Sequence, residues 1–334
     1  MSVTTEYKVP ESARHGLPEK MRAAAIDRFG GAELLKLQTL PVPELEKGEI
    51  LIEVDTAGVG SWDAAMRAGW WPEGKPQFPL VLGSDGSGRV AAMETPDRRF
   101  RLGDPVYSYS FANPRGGFYG EYVVVAAESA APIPQGLTMQ EAGAIGTTGL
   151  TALQGIDDAL QVRRDESVLI YGASGGVGTL AVQFAKLRGA HVLAVASGDD
   201  GVALVRRLGA DEAVDGRKGD VHSAIRAFAR NGLDAILVLA GGETLGPAIE
   251  TVKSGGRVAY PHGVEPAPEK RPGLRLEAYD AKAGVDEFSR LNQAVEAAKL
   301  RVPIAESFAL ADAAKAHERI EQGHVPGKIV LRVR

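Results

Sequence analysis

The amino-acid sequence predicts an α/β protein in which an all-β unit, a partly open barrel, is followed by a doubly wound parallel sheet. Three observations predict it. Up to about Tyr122 the chain is a series of short β-type runs cut by Gly and Pro. Beyond about Thr138 strand and helix patterns alternate, and one strand–helix joint, at residues 169–186, is a glycine-rich turn. At 334 residues the chain suffices for roughly two domains with full cores, without metal or disulfide staples.

Taken in order, residues 1–20 are polar, mix both charges and lack the apolar stretch of a signal peptide, so they read as a flexible arm. The β texture of the first unit, 21–146, begins at Met21. Residues 49–54 (EILIEV) alternate, 88–92 read GRVAA and 121–125 read EYVVV, while Pro41, Pro43, Pro72, Pro76 and Pro79 exclude long helices. In the second unit, 147–300, residues 167–171 (SVLIY) form a buried-type strand and 177–187 have helical period. Residues 191–196 (HVLAVA) make the next strand, a helix runs through 205–208, and 213–214 suggest a third strand. Segments at 235–239, 244–252 and 257–260 and a helix over about 288–300 continue the alternation, which implies right-handed crossovers and helices on both sheet faces. Residues 301–334 supply a strand from Ile304, a helix over about 312–322 and a final IVLRV strand.

Composition narrows the chemistry. Glycine, at 41 residues, is about 12% of the chain against an ordinary level of roughly 7%, and it belongs at turns and close backbone approaches. The absence of cysteine removes disulfides, thiol nucleophiles, iron–sulfur clusters and thiolate-bound zinc. A net charge of −5 with no basic block argues against nucleic-acid and anionic-membrane binding, and every apolar run is too short to span a bilayer. A cytoplasmic protein is the expectation.

The glycine turn, LIYGASGGVGTLAVQFAK, admits three readings. A Walker loop needs Gly-Lys-Ser/Thr, and Gly178 is followed by Thr179. A nucleophile elbow matches Gly172, Ser174 and Gly176, with His222 and His262 as available partners, but no oxyanion segment precedes it and the first unit is all-β. A dinucleotide fingerprint matches Ala173, Gly175 and Gly178, with Ser174, Gly176 and Val177 between them. Here Gly175 admits a pyrophosphate, Gly178 lets the helix pack tightly, and the helix N-terminus faces the phosphates. An NAD enzyme usually places Asp or Glu at the end of the next strand. Ser197 stands there, neutral and with room for a 2′-phosphate, and Arg217 and Lys218 can supply positive charge, so NADPH is favoured. Asp199 and Asp200 argue the other way.

With this turn in place the chain resembles the medium-chain dehydrogenase/reductase superfamily, and within it the zinc-independent quinone oxidoreductases. The resemblance spans about residues 21–334. It rests on 57–69 (AGVGSWDAAMRAG), 83–90 (GSDGSGRV), 117–125 (GFYGEYVVV), 148–152 (TGLTA), 173–178, 208–211 (LGAD), 255–258 (GGRV) and 327–330 (GKIV). It implies a GroES-like catalytic barrel built from both chain ends around a Rossmann domain, and it allows a homodimer. Zinc-dependent relatives carry Cys where this chain has Gly60 and His where it has Ser84, so no metal site is expected. His317-Glu318-x-x-Glu321 lacks the second His of a zinc motif and reads as a solvated helix face. The Asn and Tyr that quinone reductases often hold are replaced by Gly60 and Trp71.

The resemblance further implies that Thr151 faces the nicotinamide half, and that the backbone at Leu239, Ala240 and Gly241 and at His262 and Gly263 holds its ring and carboxamide. Trp62, Trp70 and Trp71, with Phe118 nearby, suggest an aromatic substrate cleft. The expected substrate is an aromatic or conjugated carbonyl compound, with the proton coming from water, Tyr109 or Tyr119. Asp63 and Arg67 either act directly or fix the loop as a helix-capping Asp and a surface Arg. The competing functions are zinc-free alcohol–aldehyde interconversion and nucleotide binding with little catalysis.

Overall fold

The computed structural model describes residues 16–72 and 74–334. The arm expected at 1–20 lies outside the described residues up to residue 15; its described end is docked, with Leu17 packed on the barrel core and the first strand starting at Lys20. Among the described residues no helix is long and apolar enough to cross a membrane.

The barrel begins with β1 (Lys20–Ile26), β2 (Lys36–Pro41), β3 (Glu49–Val59), helix α1 (Ser61–Ala68) and β4 (Leu80–Val81). It continues through β5 (Asp85–Glu94), β6 (Pro105–Tyr109), β7 (Tyr122–Ala126) and β8 (Ala130–Pro132) to the short helix α2 (Met139–Gly143). Strand β3 is its centre, because it pairs antiparallel with both β5 and β7. The alternation seen at 49–54 becomes a strand whose Ile50, Ile52 and Val54 are wholly buried. Thr138 caps α2 with Glu141 in a reciprocal capping box, which places the change of texture at a real boundary.

The parallel sheet is entered through α3 (Gly146–Gln154), which runs on as a π-type turn at Gly155–Ala159. Then follow β9 (Ser167–Tyr171), α4 (Gly176–Leu187), β10 (His191–Ala196), α5 (Gly198–Arg207), β11 (Glu212–Asp215) and α6 (Val221–Phe228). The second half contains β12 (Leu233–Val238), α7 (Leu245–Glu250), β13 (Val252–Pro261), β14 (Arg275–Tyr279) and α8 (Val285–Ala298). The six strands are parallel in the order β11-β10-β9-β12-β13-β14, so strand order reverses at β9 and opens a crevice at its carboxyl end. Residue 252 belongs to β13 and not to the preceding helix. Strand β14 had no sequence signal, since Arg275 and Glu277 interrupt its apolar character at the sheet edge.

The chain then returns to the barrel as β15 (Ile304–Ala309), α9 (Ala313–Glu321) and β16 (Lys328–Arg332). β16 lies antiparallel to β3, with Val330 opposite Gly58, and completes a seven-stranded sheet from both chain ends. An isolated bridge from Gly327 to Gly175 ties this returning segment to the glycine turn.

Gly178 sets the distance between α4 and β9. A Cβ there would lie 2.4 Å from the Gly172 carbonyl oxygen and 2.6 Å from the Ala173 Cα. Since these are backbone atoms, Gly178→Ala must push the helix off the turn. We expect a loss of about 1–3 kcal/mol, measured by denaturant unfolding, whereas Gly246→Ala, with open space around the added carbon, serves as a near-neutral control.

Candidate active site

The turn after β9 is held from below. Gly172 N and Ala173 N both donate to the Val195 carbonyl, at 3.0 and 2.9 Å, and Gly172 adopts φ +87°. The first intrahelical bond of α4 runs from Thr179 N to Gly175 O, so the amides of Gly176, Val177 and Gly178 precede the helical ladder and face outward as an anion site. A Cβ on Gly175 would meet nothing closer than the Gly172 carbonyl oxygen at 3.7 Å, an ordinary contact distance. Beside Gly176 lies Lys328 of β16, which sequence reading missed as a functional residue. Its ammonium is buried, donates to Val59 O at 3.1 Å and sits 5.1 Å from the centre of the Trp62 ring. A lysine has three N–H groups, and one carbonyl and one ring face leave it suited to an anion arriving over the turn.

The remaining expected cofactor residues lie around the same crevice. Leu239 N donates to Tyr171 O at 2.9 Å, Ala240 packs against Gly172, and Gly241 lies against the Glu265 carbonyl. His262 is exposed and pairs with Asp280 at 2.9 Å, next to Gly263 at φ +92°. The Thr151 hydroxyl, expected to face the nicotinamide half, turns back to Thr147 O at 2.8 Å. Thr148 is the threonine whose methyl lies beside Gly176.

At the other end, Ser174 Oγ accepts from Ser197 N at 3.2 Å, a backbone contact in place of the histidine that a nucleophile elbow requires. Ser197 Oγ lies 3.3 Å from His324 Nδ1, and His324 Nε2 lies 3.1 Å from Asp200. Asp215 Oδ1 accepts from both Gly198 N and Arg217 N, at 3.2 and 2.9 Å, which fastens the turn carrying Arg217 to the end of β10. Arg217 and Lys218 are exposed.

On the barrel side the structure corrects four expectations. Phe118 and Tyr119 are completely buried in the barrel core, and neither is among the residues that line the cleft beside Ser84. Arg67 is not a surface residue, and His317 is not on a solvated face; both are buried. Arg67 donates to Gly30 O and Glu321, at 3.1 and 2.5 Å, and lies 3.4 Å from His317 Nδ1. His317 Nε2 lies 3.1 Å from the Tyr119 hydroxyl, which is 3.4 Å from Asp63 Oδ2. Asp63 also accepts from Gly60 N at 2.9 Å, capping α1, and from Ser84 Oγ at 3.0 Å. Burial, reinforced by the Asp85 carboxylate, pushes the Asp63 carboxyl up to about 7 against the opposing pull of Gly60 N, Lys328 and Ser84. Burial, with Arg67 adding to it, pushes His317 down to about 3.

Ser84 also lines a narrow cleft of about 10 Å³, room for about one water, with Met66, Trp71, Leu82, Asn113 and Gly117. Next to Trp71 in the chain, Trp70 is 51% exposed and packs obliquely on Phe111, which contacts Tyr109 in turn. Burial, and then the charges of Asp85, Asp280 and Asp63, raise the Tyr109 phenol well above its ordinary range, which makes it a weak acid. Trp62 stands apart from the other two tryptophans, beneath Lys328, with its indole N–H buried and unpartnered.

The Asp63–His317 pair has a consequence for stability. Between about pH 4 and 6.5 the unfolded chain has released the Asp63 proton and bound one on His317, while the folded chain does the reverse. The two terms cancel in proton count, so the pair contributes no slope there. Removing His317 leaves a folded state that binds more protons than the unfolded one, and His317→Asn should lose stability as pH rises across this window. Asp63→Asn should gain stability over the same range. Urea unfolding at several pH values reads both slopes.

Two family models match the chain: an alcohol dehydrogenase GroES-like domain over residues 46–135 and a zinc-binding dehydrogenase model over 208–331. Mouse (Mus musculus) quinone oxidoreductase is 31% identical, across 93% of this chain and 97% of its own length. A solved NAD-dependent alcohol dehydrogenase superposes with TM-score 0.86 at 31% identity, covering 94% of this chain and all of the other. A mycobacterial protein solved with NADPH gives 0.82 at 26% identity, over 93% and 99% of the two chains. The shared fold, the glycine turn in its crevice and this identity over nearly the whole length establish that the chain belongs to the medium-chain dehydrogenase/reductase superfamily, as a quinone oxidoreductase-like oxidoreductase.

Proposed function

We propose that the protein is a zinc-independent, NADPH-dependent reductase of quinones or enones. The observation that carries the reading is the buried Lys328, whose stem lies beside Gly176 and whose ammonium donates to Val59 O over the Trp62 ring. It puts a buried cation near the start of α4, which supports the reading that a pyrophosphate would bind where the two units meet. A bound dihydronicotinamide would supply the hydride, and the protein's part is to orient it and exclude water. Gly175, Gly176, Val177 and Gly178 would cradle the phosphates, with Ala173 and Ser174 shaping the turn. Leu239, Ala240, Gly241, His262 and Gly263 would border the nicotinamide half. Trp70 and Phe111, exposed and in ring contact, would stack against a flat conjugated acceptor.

The 2′-phosphate reading rests on Ser197, a neutral residue at the end of β10, and on Arg217, which Asp215 fastens close by. Metal-free chemistry rests on the donor set. Gly60 and Ser84 offer neither thiolate nor imidazole at the positions where zinc enzymes of the superfamily carry them, and the described residues contain no group of three His, Asp or Glu arranged to hold a metal.

NADPH should quench Trp62 fluorescence, with NADH binding at least ~10-fold more weakly. Equal affinity for the two would sink the 2′-phosphate reading. Lys328→Ala should weaken both cofactors alike, whereas Arg217→Ala should weaken NADPH alone by roughly 10-fold, as read by fluorescence titration. NADPH should be oxidised with 1,4-benzoquinone or 9,10-phenanthrenequinone, and chelators should leave the rate unchanged. Binding without turnover across quinones, enones and aldehydes would instead make the protein a nucleotide-binding relative.

A further inference from the structure

We propose that Ser84 delivers the proton that completes reduction of the acceptor, that Asp63 supplies it to Ser84, and that Arg67, His317 and Tyr119 are positioning residues that decide which carboxyl oxygen holds it. This rests on the reductase reading above and assigns its proton path. Ser84 is the residue common to the cleft and the buried cluster: it walls the cleft with Trp71 and Met66, and its hydroxyl lies 3.0 Å from Asp63 Oδ1.

The direction of each hydrogen bond follows from chemistry. Arg67 can only donate, so the His317 Nδ1 facing it at 3.4 Å is the acceptor and the ring proton sits on Nε2. That N–H donates to the Tyr119 oxygen at 3.1 Å, and the phenolic hydrogen is left for Asp63 Oδ2 at 3.4 Å. Gly60 N donates to the same oxygen at 2.9 Å. Oδ2 thus faces two donors and cannot carry the proton, which must sit on Oδ1, facing Ser84. When Asp63 is protonated, Oδ1–H donates to Ser84 Oγ and the serine hydrogen turns to the cleft. When Asp63 is ionised, the serine hydrogen turns inward to the carboxylate.

The step balances. An acceptor that has gained a hydride at carbon carries the electron pair as a negative oxygen. The Ser84 O–H bond breaks as the acceptor O–H bond forms, and the Asp63 O–H bond breaks as a new Ser84 O–H forms. Asp63 is left as carboxylate and regains a proton from water after product departs. The groups that face Asp63 are consistent with a proton held near neutrality. Asp85 and burial favour the acid, Lys328, Ser84 and Gly60 N favour the carboxylate, and the Tyr109 phenol and the neutral His317 change neither charge in this range.

Steady-state kinetics with NADPH and 9,10-phenanthrenequinone test the path. Wild-type kcat should fall as pH rises through about 7. Ser84→Ala should lower kcat on the order of 100-fold at unchanged KM and abolish the inflection, and Ser84→Thr, which keeps the hydroxyl, should restore both. Tyr119→Phe removes one donor from Oδ2 and should move the inflection to higher pH. A Ser84→Ala enzyme with wild-type kcat or an unaltered inflection overturns the path. A second readout needs no cofactor: the infrared carbonyl stretch of a protonated buried carboxyl should be present at about pH 6, lost by about pH 8.5 and absent in Asp63→Asn. Its absence from the wild type at the lower pH also overturns the inference. A band that titrates in a protein that reduces no acceptor overturns the reductase reading, and with it the delivery step, while leaving the protonation site in place.

Discussion

The pairing of β16 with β3 is the contact on which the site depends. It closes the barrel with residues from the returning segment, and β16 opens at Lys328, whose ammonium reaches the Val59 carbonyl and whose stem lies beside Gly176. One residue earlier, Gly327 N donates to Ser174 O at 2.9 Å and fixes the barrel against the parallel sheet. The crevice therefore has one wall from each unit, held in register by backbone bonds. The same return path brings α9 against α1, and with it His317 and Glu321 against Arg67.

The buried polar cluster behind the cleft obeys the rule that ionisable groups withdrawn from water either pair or become neutral. Between about pH 3 and 7 the acid and the base are both neutral, and Arg67 carries its charge out to Glu321 at the surface. Each member has a partner, so the cluster holds α1 at a defined angle to the cleft instead of leaving an orphan in the core. Its polarity runs one way, from the guanidinium toward Asp63.

Much of the fold was legible because period and punctuation agree with it. Both SVLIY at 167–171 and HVLAVA at 191–196 coincide with β9 and β10. The glycine turn stands between a strand and a helix, as its spacing requires. Strand β14 was illegible because charged residues on a half-buried edge erase the apolar signal. His317 and Arg67 were misread for a related reason: a polar residue on a short helix looks solvated until another helix covers it, and the covering contact spans 250 positions in sequence. Lys328 carried a readable signal, a lone lysine opening a final apolar strand, but its role depends on a turn 152 residues upstream, a separation taken from positions 176 and 328. The aromatic residues were placed in the right neighbourhood but not on the right face, since alternation along 117–125 leaves open which side of the barrel wall each ring takes.

The topology also orders events in time. Strands β9 to β14 lie within residues 167–279, so the parallel sheet contains all its own strands and can pair while later residues are still being made. The barrel, opened at Lys20, lacks its closing strand until residues 328–332 emerge. Lys328 arrives with that strand. A growing chain can thus complete its parallel sheet before it has the strand that closes the barrel, so the wall that β16 adds is the last part of the crevice to form.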